Sequence, residues 1–270
     1  MKVQNAVIVT KPKQAEVVRV AGELIEWFKA RKVKASVNPE TAAKADLAVV
    51  VGGDGTLLAA ARLLGDRQVP ILAINHGGLG FLTEVTMEEM YPALEAVLSG
   101  KFATEERMMV DVTVSRAKKQ VAAYRALNDV VINRGTLSRI VELKARVDGH
   151  EVSLFRSDGL IVATPTGSTA YNLSAGGPII FPTMSAMVLT PICSHTLTNR
   201  PIVLSAGVRI EITLQSSQEE EVHVTVDGQV GLKLQPGDIL TIVKSKVAVK
   251  LIAPADKNYF DVLRGKLKWG

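Results

Sequence analysis

Apolar positions in the first hundred residues follow two rhythms. Short unbroken runs, Ala6 to Thr10, Leu47 to Val51 and Ile71 to Ile74, predict strands covered on both faces. Between them apolar residues recur every three or four positions. Val17, Val20, Ala21, Leu24 and Phe28 mark one face of a helix beginning near Ala15, and Leu57 to Leu64 mark another. Thr86 and Glu89 have capping-box spacing for a third helix, which carries Met90, Leu94, Val97 and Leu98 and stops near Gly100. Pro92, early in that helix, is placed to kink it. Strands alternating with helices in this way predict an α/β domain built on a parallel sheet.

After about residue 104 the period becomes two. Val110, Val112 and Val114 alternate with Asp111 and Thr113; Val141, Leu143, Ala145 and Val147 alternate with Glu142, Lys144 and Arg146. The rhythm returns in Val208 to Leu214, Val222 to Val226 and Ile239 to Ile252, so this half is expected to be mainly antiparallel β. Asp148-Gly149, Asp158-Gly159 and Asp227-Gly228 each have the form of a hairpin turn. The change of period sets the expected domains at 1–103 and 104–252. The tail 253–270, with Tyr259, Phe260, Val262 and Leu263, is too apolar to dangle and is expected to pack back onto the first domain.

Composition narrows the field of functions. The chain has 270 residues, 47% hydrophobic and only 4% aromatic, so its core is one of Val, Leu, Ile and Ala. A net charge of +5 suits an anionic substrate, and without a dense Lys/Arg run no nucleic-acid partner is expected. The single cysteine, Cys193, excludes an intrachain disulfide, and its apolar context predicts a small buried hydrophobe. The N-terminal apolar stretch is too short for a signal peptide. No window reaches the roughly 20 apolar residues of a membrane span. The expectation is a cytoplasmic protein with no membrane partner.

The candidate chemistry begins where the second strand stops, at GGDGT, Gly52 to Thr56. Ligands of open α/β sheets bind beyond the carboxyl ends of strands. Gly52, Gly53 and Gly55 would let backbone N–H groups approach a phosphate, and a helix opening near Thr56 would add its positive end. Asp54 would then stand beside a phosphate surface, able to take a proton from an attacking hydroxyl or help hold a metal ion. The plain alternative is an aspartate capping the helix. A second glycine cluster, Gly77, Gly78 and Gly80, follows the third strand and could line the same crevice.

The β-rich half adds polar groups that a structural sandwich does not need. Asn128 and Asp129 interrupt YRALNDVVI with an amide beside a carboxylate, a pairing suited to ribose hydroxyls. Within RSDGLIVATPTGSTAYNLSAGGP, Arg156 to Pro178, the residues from Thr164 to Asn172 are too irregular for an ordinary strand. Their hydroxyls, free backbone groups and one aromatic could enclose a base and ribose. His195 and His223 stand alone without metal-ligand spacing and read as structural, so no protein metal cage is expected.

Taken together these motifs resemble the NAD kinases of the bacterial type, over nearly the whole chain and in the family's order. They are GGDGT, GGLGFLT at Gly77 to Thr83, LNDVVI at Leu127 to Ile132, the Ser157 to Pro178 segment, HTLTNRPIV at His195 to Val203, and DGQ at Asp227 to Gln229. Gly-Gly-Asp-Gly alone is shared with diacylglycerol kinases and phosphofructokinases. The resemblance implies a Rossmann-like N-terminal domain, a β-sandwich C-terminal domain and a homodimer or homotetramer. It also implies transfer of the ATP γ-phosphate to the 2′-hydroxyl of NAD's adenosine ribose, with a divalent metal such as Mg2+. By matching position Asp54 would be the proton acceptor and Gly55 a backbone contact. Asn128 and Asp129 would hold ribose hydroxyls, and Asp158 the nicotinamide end. Thr169, Ala170, Tyr171, Asn172, Leu173 and Ser174 would shape the adenine and ribose pocket. Arg139, Arg156 and Gln229 would make further substrate contacts, often across a subunit interface. One departure stands out. The family's pair is more often Asn-Glu, and Asp129 is one methylene shorter.

Overall fold

The computed structural model describes residues 3–11, 15–37, 42, 44–78, 80–135, 140–215, 221–253 and 258–269. Two compact units emerge, Met1–Glu106 with Val249–Gly270, and Arg107–Ala248.

In the first unit β1 (Asn5–Thr10), α1 (Ala15–Ala30), β2 (Lys34–Ser36), β3 (Leu47–Gly52), α2 (Asp54–Leu64), β4 (Ile71–Asn75) and α3 (Met90–Leu98) follow in order. The strands pair in parallel as β2-β1-β3-β4. The apolar face read for α1 is its buried face. It joins Leu47, Val49 and Val51 of β3, Leu72 and Ile74 of β4, and Met90, Leu94 and Val97 of α3 in one core cluster. Side chains alternate along a strand, so Ala48 and Val50 point the other way, yet they too are fully buried. β3 is therefore covered on both faces, which is why its sequence is an unbroken apolar run. Thr86 and Glu89 do form their reciprocal bonds, Thr86 N–H donating to Glu89 Oε2 at 2.8 Å and Glu89 N–H to Thr86 Oγ1 at 3.4 Å, but in the turn ahead of α3, whose own N-cap, Glu89, makes no side-chain cap bond. Pro92 falls in the first turn of α3, where a missing N–H loses no helical bond and gives no reason for a kink.

The chain continues through β5 (Ala103–Arg116), β6 (Lys119–Ala126), β7 (Asp129–Arg134), β8 (Val141–Val147), β9 (His150–Ser157) and β10 (Gly159–Ala163). A 3-10 turn (Gly167–Thr169) and the single-turn helix α4 (Tyr171–Ser174) precede β11 (Ala186–Ile192), β12 (Ile202–Ser205), β13 (Ile210–Leu214), β14 (Val222–Val226) and β15 (Val230–Lys233). β16 (Ile239–Ala253) and α5 (Tyr259–Leu267) complete the order. One antiparallel sheet of the second unit runs β12-β11-β10-β7-β14-β15. In the other, β8 lies between β9 and β13, and β13 pairs with the start of β16. Inward rows from both sheets, among them Leu143, Ile210 and Leu240 against Ile132, Leu160 and Val224, share one core, as in a sandwich. Val131, Ile161, Ala163 and Val188 are buried on the opposite face with Ile180. That second layer explains why these strands read as continuous apolar runs and not as alternations.

Two expectations need correction. Asp148-Gly149 and Asp227-Gly228 do turn hairpins, with φ of 49° and 81° in the first and 52° and 62° in the second. Asp158-Gly159 does not. Gly159 opens β10, paired to both Asn133 and Ile192, and Asp158 marks where the chain leaves the sheet of β9 for the six-stranded one. Cys193 is exposed, not buried, because β11 ends one residue before it and the backbone turns there at φ 46°. Among the described residues no helix is long and apolar enough to cross a membrane.

Candidate active site

β3 and β4 lie side by side with Gly52 opposite Asn75, so the two glycine turns leave the sheet from adjacent carboxyl ends. His76 N–H donates to the Gly52 carbonyl at 3.1 Å and ties one turn to the other. α2 begins at Asp54 itself, earlier than its apolar pattern indicates, and its N-cap, Gly53, offers no side chain. The capping alternative does not form. The Asp54 carboxylate turns instead to the second glycine loop. Oδ2 accepts the Phe81 N–H at 2.9 Å, while Oδ1 accepts the Leu82 N–H at 3.1 Å and the Thr83 hydroxyl at 3.2 Å. A carboxylate offers about four acceptor positions, so about one remains, on Oδ2. The half-buried carboxylate is fixed in direction and retains room for one more donor.

Glycine is required at two points by close approach. A Cβ on Gly80 would lie 2.2 Å from both Asp54 Oδ1 and Thr83 Oγ1, and one on Gly52 would lie 2.4 Å from Thr56 Oγ1. Buried Asn75 shapes the same loop, its Nδ2 donating to the carbonyls of Gly78 at 3.0 Å and Thr83 at 3.1 Å. Gly53 and Gly55 are exposed at the start of α2, where backbone N–H groups and the helix's positive end favour an anion.

The second unit assembles its own polar cluster at the start of β7. The Asp227 carboxylate accepts three successive backbone N–H groups, from Leu127 at 3.0 Å, Asn128 at 2.7 Å and Asp129 at 3.2 Å. Asn128 Oδ1 is buried and has no hydrogen-bond partner. Burial first, and the Asp227 charge second, push the Asp129 carboxyl up to about 7.

The segment after β10 wraps this cluster. Thr164, Ser168 and Asn172 are fully buried. Asn172 is the hub: Nδ2 donates to the carbonyls of Ser168 at 3.0 Å and Pro178 at 3.1 Å, and Oδ1 accepts the Thr190 hydroxyl at 2.7 Å. Its side chain is committed to the loop itself, so it positions its neighbours. Thr169, Ala170 and Leu173 are half-buried, Tyr171 and Ser174 exposed. Asp158 pairs with Arg134 at 2.9 Å, and Arg156 with Glu142 at 2.9 Å. Gln229 is exposed in the turn that carries Asp227. Arg139 lies outside the described residues. Among the described residues no three His, Cys, Asp or Glu side chains gather as a metal cage.

Sequence reasoning missed the Phe81 and Leu82 amides, Asn75, Thr164, Arg134 and the reach of Asp227. Each acts through a partner made adjacent only by folding. The available signal was that Phe81, Leu82, Thr164 and Asp227 fall in motifs shared by the resembling family.

Comparison with known proteins follows the same division. Residues 8–102 match the family described as "ATP-NAD kinase N-terminal domain" and residues 127–253 match "ATP-NAD kinase C-terminal domain". An NAD kinase of Citrifermentans bemidjiense is 52% identical over 269 residues, covering 93% of each chain, and one of Geobacter sulfurreducens is 48% identical over 266 residues, again 93% of each. Among solved structures, an NAD kinase from Archaeoglobus fulgidus in complex with ATP superposes with a TM-score of 0.80 at 29% identity, covering 99% of this chain and 100% of that one. Yeast NADH kinase complexed with NADH shares the fold, with a TM-score of 0.91 at 24% identity over 100% of this chain and 88% of that one. With the glycine-flanked aspartate, the amide–carboxylate pair and the hydroxyl-rich loop all in the matched regions, the chain belongs to the ATP-NAD kinase family.

Proposed function

We propose that this kinase moves the γ-phosphoryl group of ATP onto the 2′-hydroxyl of the adenosine ribose of NAD, giving NADP and ADP. The ribose oxygen forms a bond to the γ-phosphorus, the bond from that phosphorus to the β,γ-bridging oxygen breaks, and the hydroxyl proton passes to Asp54. The observation that carries this reading is the Asp54 carboxylate, held by two amides and a hydroxyl at the strand ends with one acceptor position to spare. A sugar hydroxyl is a weak nucleophile, and a positioned base contributes roughly 100- to 10,000-fold. Orientation of both substrates and stabilisation of the phosphoryl oxygens supply the remainder.

Gly52, Gly53, Gly55 and Thr56 would line the triphosphate. Asn128 and Asp129 would take ribose hydroxyls, with Thr169 to Ser174 around the base, and Asp158, Arg156, Arg139 and Gln229 toward the rest of the dinucleotide. A magnesium ion would arrive on the nucleotide beside the Gly52 to Thr56 turn, held there by the phosphates and by water, since the one acceptor position left on Asp54 is needed for the hydroxyl proton. When bound, the ion neutralises charge on the phosphoryl oxygens. Assembly as a homodimer or homotetramer in the cytoplasm belongs to the same proposal.

The test is direct. Purified protein with ATP, Mg2+ and NAD should generate a product that an NADP-specific dehydrogenase reduces. A folded sample that consumes no NAD, or that yields a phosphorylated dinucleotide the dehydrogenase ignores, would refute the assignment.

A further inference from the structure

The tripeptide Leu127–Asn128–Asp129 stands just before the β7–β14 ladder, whose first pair is Val130 with Val226. Ladder hydrogen bonds from β14 end there, and a buried backbone group left without a partner is costly. Two residues supply the missing partners. The Asp227 carboxylate takes all three N–H groups. The Leu127 carbonyl accepts the Thr164 hydroxyl at 2.5 Å and the Asn128 carbonyl accepts the Thr164 N–H at 2.8 Å. The Asp129 carbonyl accepts the Asp227 N–H at 2.9 Å. Every backbone donor and acceptor of the tripeptide is thus held by Asp227 or Thr164, while Asn128 Oδ1 is left without a partner.

We propose that Asp227 and Thr164 are positioning residues, a two-sided clamp that fixes this tripeptide so that the Asn128 and Asp129 side chains present themselves to ribose hydroxyls. The inference rests on the reading above that these two side chains bind ribose. Thr164 is fully buried, so it acts through the backbone it holds. Its hydroxyl also accepts the Gly167 N–H at 3.1 Å, which links the clamp to the loop of Thr169 to Ser174. The threonine hydroxyl thus bridges Leu127, next to the ribose pair, and Gly167, just ahead of the base-enclosing loop. Asp227 serves because a carboxylate alone offers enough acceptor positions for three donors on one side. Its left-handed backbone, φ 52°, aims that carboxylate back across the turn.

The turn itself survives the decisive substitution, because asparagine tolerates this backbone conformation. Asp227→Asn keeps one oxygen and turns an NH2 group against the amides. Losing a hydrogen bond to a charged acceptor implies a rise of roughly tenfold in the KM for NAD. The KM for ATP should stay within about twofold and kcat within about threefold, the pattern of lost substrate binding. Thr164→Val should do the same, and Thr164→Ser, which keeps the hydroxyl, should restore near wild-type kinetics. If Asp227→Asn does not fold, the Thr164 pair carries the test alone. A double variant, Asn128→Ala with Asp129→Ala, separates the two readings. If it leaves NAD binding unchanged, the ribose assignment falls. If it weakens binding, adding Asp227→Asn should cost less than about twofold more, because the clamp then has nothing to position. A full additive loss, equal rises in both KM values, or a Thr164→Ser enzyme as impaired as Thr164→Val would overturn the clamp.

Discussion

Replacing Asp129 by asparagine should stabilise the protein, and by an amount that grows with pH. Asp129 is 5% exposed, and burial with the nearby Asp227 charge raises its carboxyl from the ordinary 3.8 to about 7. In the folded chain the anion is therefore disfavoured by about 4 kcal/mol relative to the unfolded chain. Well below the ordinary 3.8 both states bind the proton, and the difference between the two proteins no longer depends on pH. Between pH 4 and 7 the unfolded chain gives up the proton and the folded chain keeps it, so wild-type stability falls as pH rises. Above pH 7 the whole penalty is present in the wild type, and the amide of the Asp129→Asn variant, having no proton to lose, does not carry it. Urea denaturation at pH 4.5 and at pH 8.5 reads the difference: the variant's advantage should grow by about 3–4 kcal/mol, an upper bound because unfolded chains are partly compact. A constant difference across pH, or one that shrinks on raising it, would refute the account of a carboxyl kept neutral by burial. Above pH 7, where the Asp129 carboxylate is ionised, the same substitution should weaken NAD binding, since the charged acceptor offered to ribose is lost. Destabilisation at a binding site is commonly retained for function.

Gly80→Ala should cut kcat by at least about tenfold without unfolding the chain, because the new methyl would take the place of Asp54 Oδ1 and swing the carboxylate off its amides. Turnover and far-UV circular dichroism check it together, and unchanged turnover would show that the carboxylate's direction is immaterial. Asn172→Ala should cost about 3 kcal/mol, since it strands the Thr190 hydroxyl and two carbonyls in a fully buried position. Chemical denaturation reads that loss, and a cost under about 1 kcal/mol would mean that water replaces the side chain.

The sequence made much of this architecture legible where a physical signal was local. α1 showed its buried face because an amphipathic helix repeats every 3.6 residues, and β3 betrayed its double burial through an unbroken apolar run. The place of Asp54 was readable because the glycines around it end an apolar strand and open a helix, where ligands of such sheets bind. Its orientation was not: Phe81 and Leu82 come 27 and 28 residues later, and nothing local says that their amides will meet the carboxylate. The three Asp-Gly dipeptides make the same point. Two turn hairpins, and the third, at Asp158, crosses between sheets because its flanking strands find different partners. The loop after β10 was recognisable as irregular, but that Asn172 is spent inside it depends on Thr190, which arrives on another strand.

The central claim is that Asp54, fixed between the two glycine turns, takes the proton from the hydroxyl being phosphorylated. Asp54→Asn measures it most directly, because the amide preserves shape and removes the base. The expected result is a kcat at least about 100-fold lower with NAD affinity, measured by calorimetry, within about threefold of wild type. A variant that turns over within tenfold of wild type would contradict the claim.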